Sequence, residues 1–457
     1  MTTSGLGEPF IPFALPDMTA AEMEAVVEVL RSGWITTGPK VKEFEARFGA
    51  GVGARHCVAV NSCTAALHLA LEAIGVGAND EVVVPTMTFA ATAEVVRHLG
   101  AVPVLVDVRR SDHNIDPAAV EPALTPRTRA IIPVYFGGVP ADMDEISALA
   151  RSRGIAVVAD AAHAFPCQYR GRNVGTLADI TCFSFYATKT ITTGEGGAAV
   201  TDRDAWADRM RIMSLHGISR DAWKRYRADG SWQYEILAPG FKYNLTDIAA
   251  AIGLVQLGRA ESMRARRQAI AARYVAAFEG EEALELLVQP PDRTSAHHLF
   301  VAKVVPRVLG TGRDEFIDEL RRRGVGASVH FIPLHLHPYY RDAFGYRPGD
   351  LPNAYGEFLR SISLPLYSSM RDEQVERVVA TVLDLVAHSR RLRSSQGSSP
   401  SGRGGAVEPV QQPMDRVARE ISDESIGIKL IDDDARGGRG GPGRELPAVG
   451  LQDSAQL

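Results

Sequence analysis

Two residues in this sequence are spaced to do chemistry together. Lys189 stands in TCFSFYATKTITTGEGGAAV, after an apolar run and before a glycine-rich stretch. A lysine held in such a confined place loses solvation. Its pKa falls and its amine becomes a nucleophile toward carbonyls. Asp160 ends GIAVVAD, a second apolar run. A carboxylate there is costly to bury unless a cation or hydrogen bonds meet it, and that edge is where open α/β sheets bind ligands. Alone, each is ordinary, because most lysines are loop residues and many α/β strands end in Asp. Together they are the pair that pyridoxal 5'-phosphate (PLP) chemistry requires: a Schiff-base lysine and an acid that faces the ring nitrogen.

Such a cofactor also needs a seat for its phosphate. NSCTAALHLAL places Ser62, Cys63 and Thr64 at a helix N-terminus, where free N–H groups and the helix dipole favour anions. Plain capping by Ser62 or Thr64 would explain the same residues. Ser184 precedes the lysine on its strand and has a hydroxyl to donate. Phe89, in PTMTFAAT, is placed to lie against a ring, although an isolated Phe is by default core.

Alternating strands and helices must hold these residues. CVAV (57–60), EVVVP (81–85), PVLVDV (103–108), AIIPV (130–134), GIAVVAD (154–160), TCFSF (181–185) and GAAVT (197–201) read as strands. They are nearly continuous apolar runs, which means burial on both faces and a mostly parallel sheet wrapped by helices. Helices are expected at 19–31, at 61–75 closed by Gly75, and at 89–98, 144–152, 203–214 and 246–279. SGWITTGPK is expected to break the first of them. A smaller α+β unit begins near residue 290, with strand 298–305, helix 313–324, strand 326–331 and a closing helix 371–388. The fold class is therefore α/β. Beyond 390 the chain turns rich in Gly, Ser, Pro and Arg and is expected to be a disordered tail, with one island, VAREISDESIGIKLID, that has the look of an interaction motif.

Composition excludes several other classes. A net charge of -5 over 457 residues gives no basic nucleic-acid surface. Cys57, Cys63, Cys167 and Cys182 form no C-x-x-C pair, so neither a metal site nor a disulfide framework is expected. The N-terminus carries no signal-peptide pattern, and no apolar run reaches the ~20 residues of a membrane helix. A cytoplasmic location follows as the expectation.

From about residue 8 to 388 the chain resembles the DegT/DnrJ-type nucleotide-sugar aminotransferases of the aspartate-aminotransferase-like PLP fold (fold type I). The segments that carry the likeness include SGWITTGPKVKEFE, VAVNSCTAALHLAL, DEVVVPTMTFAATA, DAAHA, FSFYATKTITTGEGGAAVT, HGISRD, GFKYNLTDIAAAIGLVQL and SLPLY. The closest likeness is to the UDP-4-amino-4-deoxy-L-arabinose aminotransferase branch. The resemblance implies Lys189 as the Schiff-base and proton-shuttling residue. It also implies Asp160 on the pyridinium nitrogen, Phe89 stacked on the ring, His163 at the cofactor face or its 3′ oxygen, and Cys63, Thr64 and Ser184 at the phosphate. Asn244, in KYNLTDI, matches an Asn that reaches the phosphate of the neighbouring subunit, hence a homodimer with shared active sites. His330 falls near the sugar pocket, with a satisfied strand histidine equally compatible, and Thr37 is a further candidate for the substrate side.

The domains implied are an N-terminal segment (1–35), a large PLP-binding domain (36–285), a small C-terminal domain (286–390) and the tail (391–457). The activity implied is transamination of a nucleotide-linked keto sugar, of the 4-keto type on UDP or dTDP, with L-glutamate as donor. A C3 keto sugar, a cyclitol ketone or a non-catalytic regulator of the same fold are the alternatives. Related 3-dehydratases carry His in place of the lysine, and Lys189 argues against that chemistry. Two departures from the family pattern are the Ser-Cys-Thr turn and Ala159, which precedes Asp160 where an acidic residue is common. The turn acts through its backbone, so neither removes a chemical role. The tail has no family counterpart.

Overall fold

Residues 9–219 and 234–396 are described in a computed structural model of the chain. The island VAREISDESIGIKLID and the end of HGISRD lie outside these residues. The strands are β1 (His56–Val60), β2 (Glu81–Pro85), β3 (Val102–Val106), β4 (Thr128–Ile131), β5 (Ala156–Asp160), β6 (Gln168–Tyr169), β7 (Arg172–Asn173), β8 (Ile180–Ser184) and β9 (Gly197–Thr201). Seven of them form one sheet in the order β1-β9-β8-β5-β4-β2-β3, while β6 and β7 make a small hairpin apart from it. Within the large sheet β9 runs against both neighbours, and the other pairings are parallel.

The apolar runs are buried on both faces, as their composition requires. Alternate residues feed two cores. Val83, Ile131, Val157, Ala159 and Phe183 face one, and Val82, Val84, Ala130, Val158 and Cys182 face the other.

Four helices lie between residues 20 and 98. In α1 (Ala20–Ser32) a capping box joins Thr19 and Glu22. The next helix, α2 (Pro39–Val52), was not expected. Its proline sits at the first position, where no N–H is needed, so it starts a helix rather than breaking one. Val41, Phe44, Phe48 and Val52 make its buried stripe, and Phe44 and Phe48 pack edge-on against Phe185. The other two, α3 (Cys63–Ala73) and α4 (Ala91–His98), lie close to the sheet.

A second sheet, β10 (Leu284–Leu286), β11 (Phe300–Val304) and β12 (Ser361–Leu364), is antiparallel in that order. Its own core joins Phe300, Ile362, Phe316, Leu320, Val378 and Val382 with Tyr274 of the long helix Asp247–Phe278. The segment 326–331 is not the strand that was expected. It pairs at a single point, Ser328 with Ser363, and then turns inward at His330 and Phe331. The closing helix runs from Asp372 to Gln396, past the expected boundary at 390. Among the described residues no helix is long and apolar enough to cross a membrane.

Candidate active site

Asp160 and Lys189 converge at the carboxyl ends of adjacent parallel strands. Asp160 closes β5 and pairs in register with Cys182 of β8. After Ser184 the chain leaves the sheet, passes through Lys189 and returns to β9. Bonds from Phe185 N–H to Gly196 O (2.9 Å) and from Thr193 N–H to Phe185 O (2.9 Å) pin that excursion. Burial pushes the Lys189 amine down to about 8, and the charge of Arg267 acts in the same direction, while Cys63 and Asp160 oppose it. The residue as a whole is only partly buried.

Asp160 is buried, and among the described residues no cation forms an ion pair with it. One carboxylate oxygen accepts the Ala162 N–H (3.0 Å), and the other accepts the Thr92 hydroxyl (2.8 Å). Thr92 in turn accepts from Thr88 (2.8 Å). Burial raises the carboxyl pKa, against the pull of these bonds and of Lys189. The result is a buried acid that is oriented by hydrogen bonds but lacks a counter-cation.

At the start of α3, Ser62 caps the helix by accepting the Ala65 N–H (3.1 Å). The N–H groups of Cys63 and Thr64 donate to no acceptor among the described residues. Two unspent donors at a helix N-terminus form an anion seat. The adjoining strand β9 approaches so closely that a Cβ on Gly197 would lie 2.5 Å from the Cys63 nitrogen. The Cys63 thiol itself is pushed far up by burial and by Asp160, so its backbone is the useful part.

Phe89 is 63% exposed, unusual for a phenylalanine, and its ring is 6.2 Å from Phe331. His163 is buried, stacks on Phe331 at 5.8 Å and lies 4.3 Å from the ring of His298. Burial, and then the charge of Lys189, keeps His163 neutral. His330 hydrogen-bonds Ser363 (2.9 Å), stacks on Phe13 and is pushed down to about 4 by burial and then by Lys189. It is a satisfied histidine, as one reading of the sequence held, and it also lies within the electrostatic reach of Lys189. Ser184 accepts the Tyr186 N–H (3.3 Å), which leaves its proton free to donate.

Thr37 and Asn244 are brought to each other. The Asn244 amide donates to the Thr37 hydroxyl (2.7 Å), which donates to Leu245 O (2.5 Å), and Lys242 donates to the Asn244 carbonyl oxygen (2.7 Å). Asn244 bridges to Val60 along the open edge of β1. Among the described residues neither Thr37 nor Asn244 bonds to Lys189 or Asp160 of the same chain.

Sequence reading missed Thr92, His298, Phe331 and Arg267. Thr92 had a signal, for it follows Phe89 by three residues, the spacing of one helical turn. The others reach the site only through packing of segments distant in the chain.

These residues fit PLP. The anion seat has unspent donors, the buried acid has no ion-pair contact among the described residues, an aromatic face stands open, and the lysine amine is depressed. The profile of the DegT/DnrJ/EryC1/StrS aminotransferase family matches residues 16–383. The spore coat polysaccharide biosynthesis protein SpsC of Bacillus subtilis is 48% identical over 378 residues, covering 82% of this chain and 97% of SpsC. Spr1654 of Streptococcus pneumoniae, assigned as a sugar aminotransferase and solved in PMP and PLP forms, superposes with TM-scores of 0.78 and 0.77 at 37% identity. The match to its PMP form covers 83% of this chain and 100% of Spr1654. The sugar aminotransferase CalS13 of Micromonospora echinospora has a TM-score of 0.74 at 30% identity, covering 82% of this chain and 99% of CalS13. The chain belongs to the DegT/DnrJ/EryC1/StrS aminotransferase family and is a PLP-dependent enzyme whose relatives include sugar aminotransferases.

Proposed function

We propose that this enzyme transfers the amino group of L-glutamate to a nucleotide-linked keto sugar, of the 4-keto type carried on UDP or dTDP, in the biosynthesis of a polysaccharide or glycoside. The observation that carries the reading is the convergence of a depressed lysine and an uncompensated buried acid beside an anion seat. PLP, when bound, supplies a ring that absorbs the electrons left as a proton departs from the carbon bearing nitrogen. Lys189 takes and returns that proton, and an amine with a pKa of about 8 does so readily near neutral pH. Asp160 holds a proton on the ring nitrogen, whose charge is the partner it lacks. The N–H groups of Cys63 and Thr64, with the Ser184 hydroxyl, hold the phosphate. Phe89 covers one ring face, and neutral His163 sits against the cofactor. His330 borders the sugar.

The same reading makes the enzyme a homodimer in which Asn244, held by Thr37, reaches the partner's phosphate seat. Met23, Val27 and Leu30 form an exposed apolar stripe on α1 that continues into Trp34 and Ile35, close in sequence to Thr37. A stripe of this kind suits burial against a second copy.

Protein loaded with PLP should show a visible absorption band that L-glutamate bleaches. A panel of nucleotide-linked 4-keto and 3-keto sugars, with a cyclitol ketone beside them, should then restore the band for the true acceptor. A Lys189→Ala variant that kept both the band and turnover would end this assignment.

A further inference from the structure

One buried charge near Lys189 has been given no ligand by the chemistry proposed so far. Arg267 lies in the long helix Asp247–Phe278 and is 2% exposed. Among the described residues the buried cations Arg293, Lys303 and Arg313 each pair with a carboxylate. Arg267 pairs with none. Its Nη1 donates to Leu366 O (2.8 Å) and, at 3.5 Å, to His297 O. Its Nε and Nη2 donate to no acceptor among the described residues. Burial lowers its pKa to about 10, which still leaves it charged at neutral pH. A buried guanidinium without an anion is unfavourable, and its planar fork matches a carboxylate.

Its surroundings point the same way. His298 adjoins His297, is buried, and has an Nδ1 with no partner. Its ring is 4.3 Å from that of His163, whose own Nδ1 is also unpartnered. The charge of Arg267 is felt at both His298 and Lys189. Two neutral imidazoles and a guanidinium without a paired carboxylate thus lie within electrostatic reach of Lys189. The cofactor phosphate has its own donors; of the other anions in the proposed reaction, the nucleotide diphosphate and the donor's carboxylates, a carboxylate matches the planar fork of one guanidinium beside the lysine.

We propose that Arg267, with His298 beside it, binds the side-chain carboxylate of a dicarboxylic amino donor and so selects glutamate over its neutral amide. Among the described residues Arg267 forms no hydrogen bond with Lys189, and the carboxylate farther from the reacting carbon suits it best. This rests on the reading that an amino acid reacts at Lys189.

The test is the donor half-reaction of the PLP-loaded enzyme, followed as loss of the visible band with glutamate and with glutamine. Wild type should prefer glutamate on the order of 30-fold, the worth of a charge-assisted pair. Arg267→Met should erase that preference, slowing the glutamate half-reaction far more than the keto-sugar half-reaction. Glutarate, a dicarboxylate without an amine, should raise the melting temperature of the wild-type apoprotein and not that of R267M. If R267M does not fold, Arg267→Lys should keep the charge and part of the preference. A wild type indifferent to glutamate and glutamine overturns the proposal. So does an R267M or R267K that slows both half-reactions equally, as a purely structural arginine would. An enzyme that aminates no keto sugar with any donor would instead sink the underlying reading.

Discussion

At the scale of single residues, reactivity turns on what burial does to two charges. The folded pKa of Lys189, about 8, lies below its unfolded value. Neutral amine is therefore favoured in the fold, and the stability linked to this group is present at high pH and lost as pH falls through about 8. Reactivity follows the same curve. The rate at which apoprotein captures PLP should climb about tenfold per pH unit below 8 and then level off. Stopped-flow absorbance against pH reads this directly, and a plateau reached only above pH 10 would mean an ordinary lysine. Asp160 has the opposite sign. Its folded pKa is raised, so its linked stability is present below the unfolded pKa and lost as pH rises. Asp160→Asn apoprotein should accordingly melt at or above wild type at pH 8, with the gap closing toward pH 4. If Asp160 has the role proposed for it, turnover should fall by roughly 30-fold or more, the loss of a charge-assisted partner worth about 2–3 kcal/mol. A D160N apoprotein that melted well below wild type at pH 8 would show that the carboxylate is a structural charge. Lys189, Asp160, Cys63, Thr64 and Phe89 could be singled out in the sequence because each lies in a local pattern with a chemical meaning. Thr92 was half legible. Nothing near SAHHLF or ARRQAI marks His298 or Arg267, because their roles depend on which distant segments pack against them.

At the scale of elements, one carboxylate organises the entry to α2. Asp247, at the first position of the long helix and 1% exposed, accepts the N–H groups of Gly38 (2.8 Å), Val41 (3.0 Å) and Lys40 (3.1 Å). Its own N–H donates to Thr36 O (3.0 Å). It therefore caps a helix distant in sequence and fixes the turn that carries Thr37. Gly38 is required there, since a Cβ would run into the Trp34 indole. Asp247→Ala strands those donors in a buried place and should cost about 3 kcal/mol, read as a lower denaturant midpoint. A loss under ~0.5 kcal/mol would mean that water replaces the carboxylate. This long-range cap also explains why α2 was missed: no local residue caps it, and Gly-Pro reads as a break until its partner is known. The parallel strands were legible because burial on both faces leaves an unbroken apolar run. The segment 326–331 imitates such a run, yet among the described residues its backbone bonds only to Ile11, through Gly326, and to Ser363, through Ser328, and its aromatic ring goes to the site.

At the scale of the whole molecule the question is whether one chain contains a complete site. Among the described residues Asn244 and Thr37 bond to each other and to neither Lys189 nor Asp160 of their own chain. They stand at the open edge of β1, and the exposed stripe of α1 leads toward Thr37 in sequence. If that edge serves a second copy, each site takes its lysine from one subunit and its asparagine from the other. Lys189→Ala and Asn244→Ala homodimers should then each be nearly inactive, the first through chemistry and the second through weak PLP retention. Unfolded together and refolded at equal concentration, half of the dimers are mixed. Each mixed dimer holds one site with both native residues and one with neither, so activity should return to about a quarter of wild type. Recovery of that size requires the lysine and the asparagine to meet across the interface. If they met within one chain, every site in the mixture would lack one of the two, and no activity would return. Placing Glu at Met23 and Leu30 should split the dimer and abolish that recovery, with the monomer's fold reported by its circular dichroism.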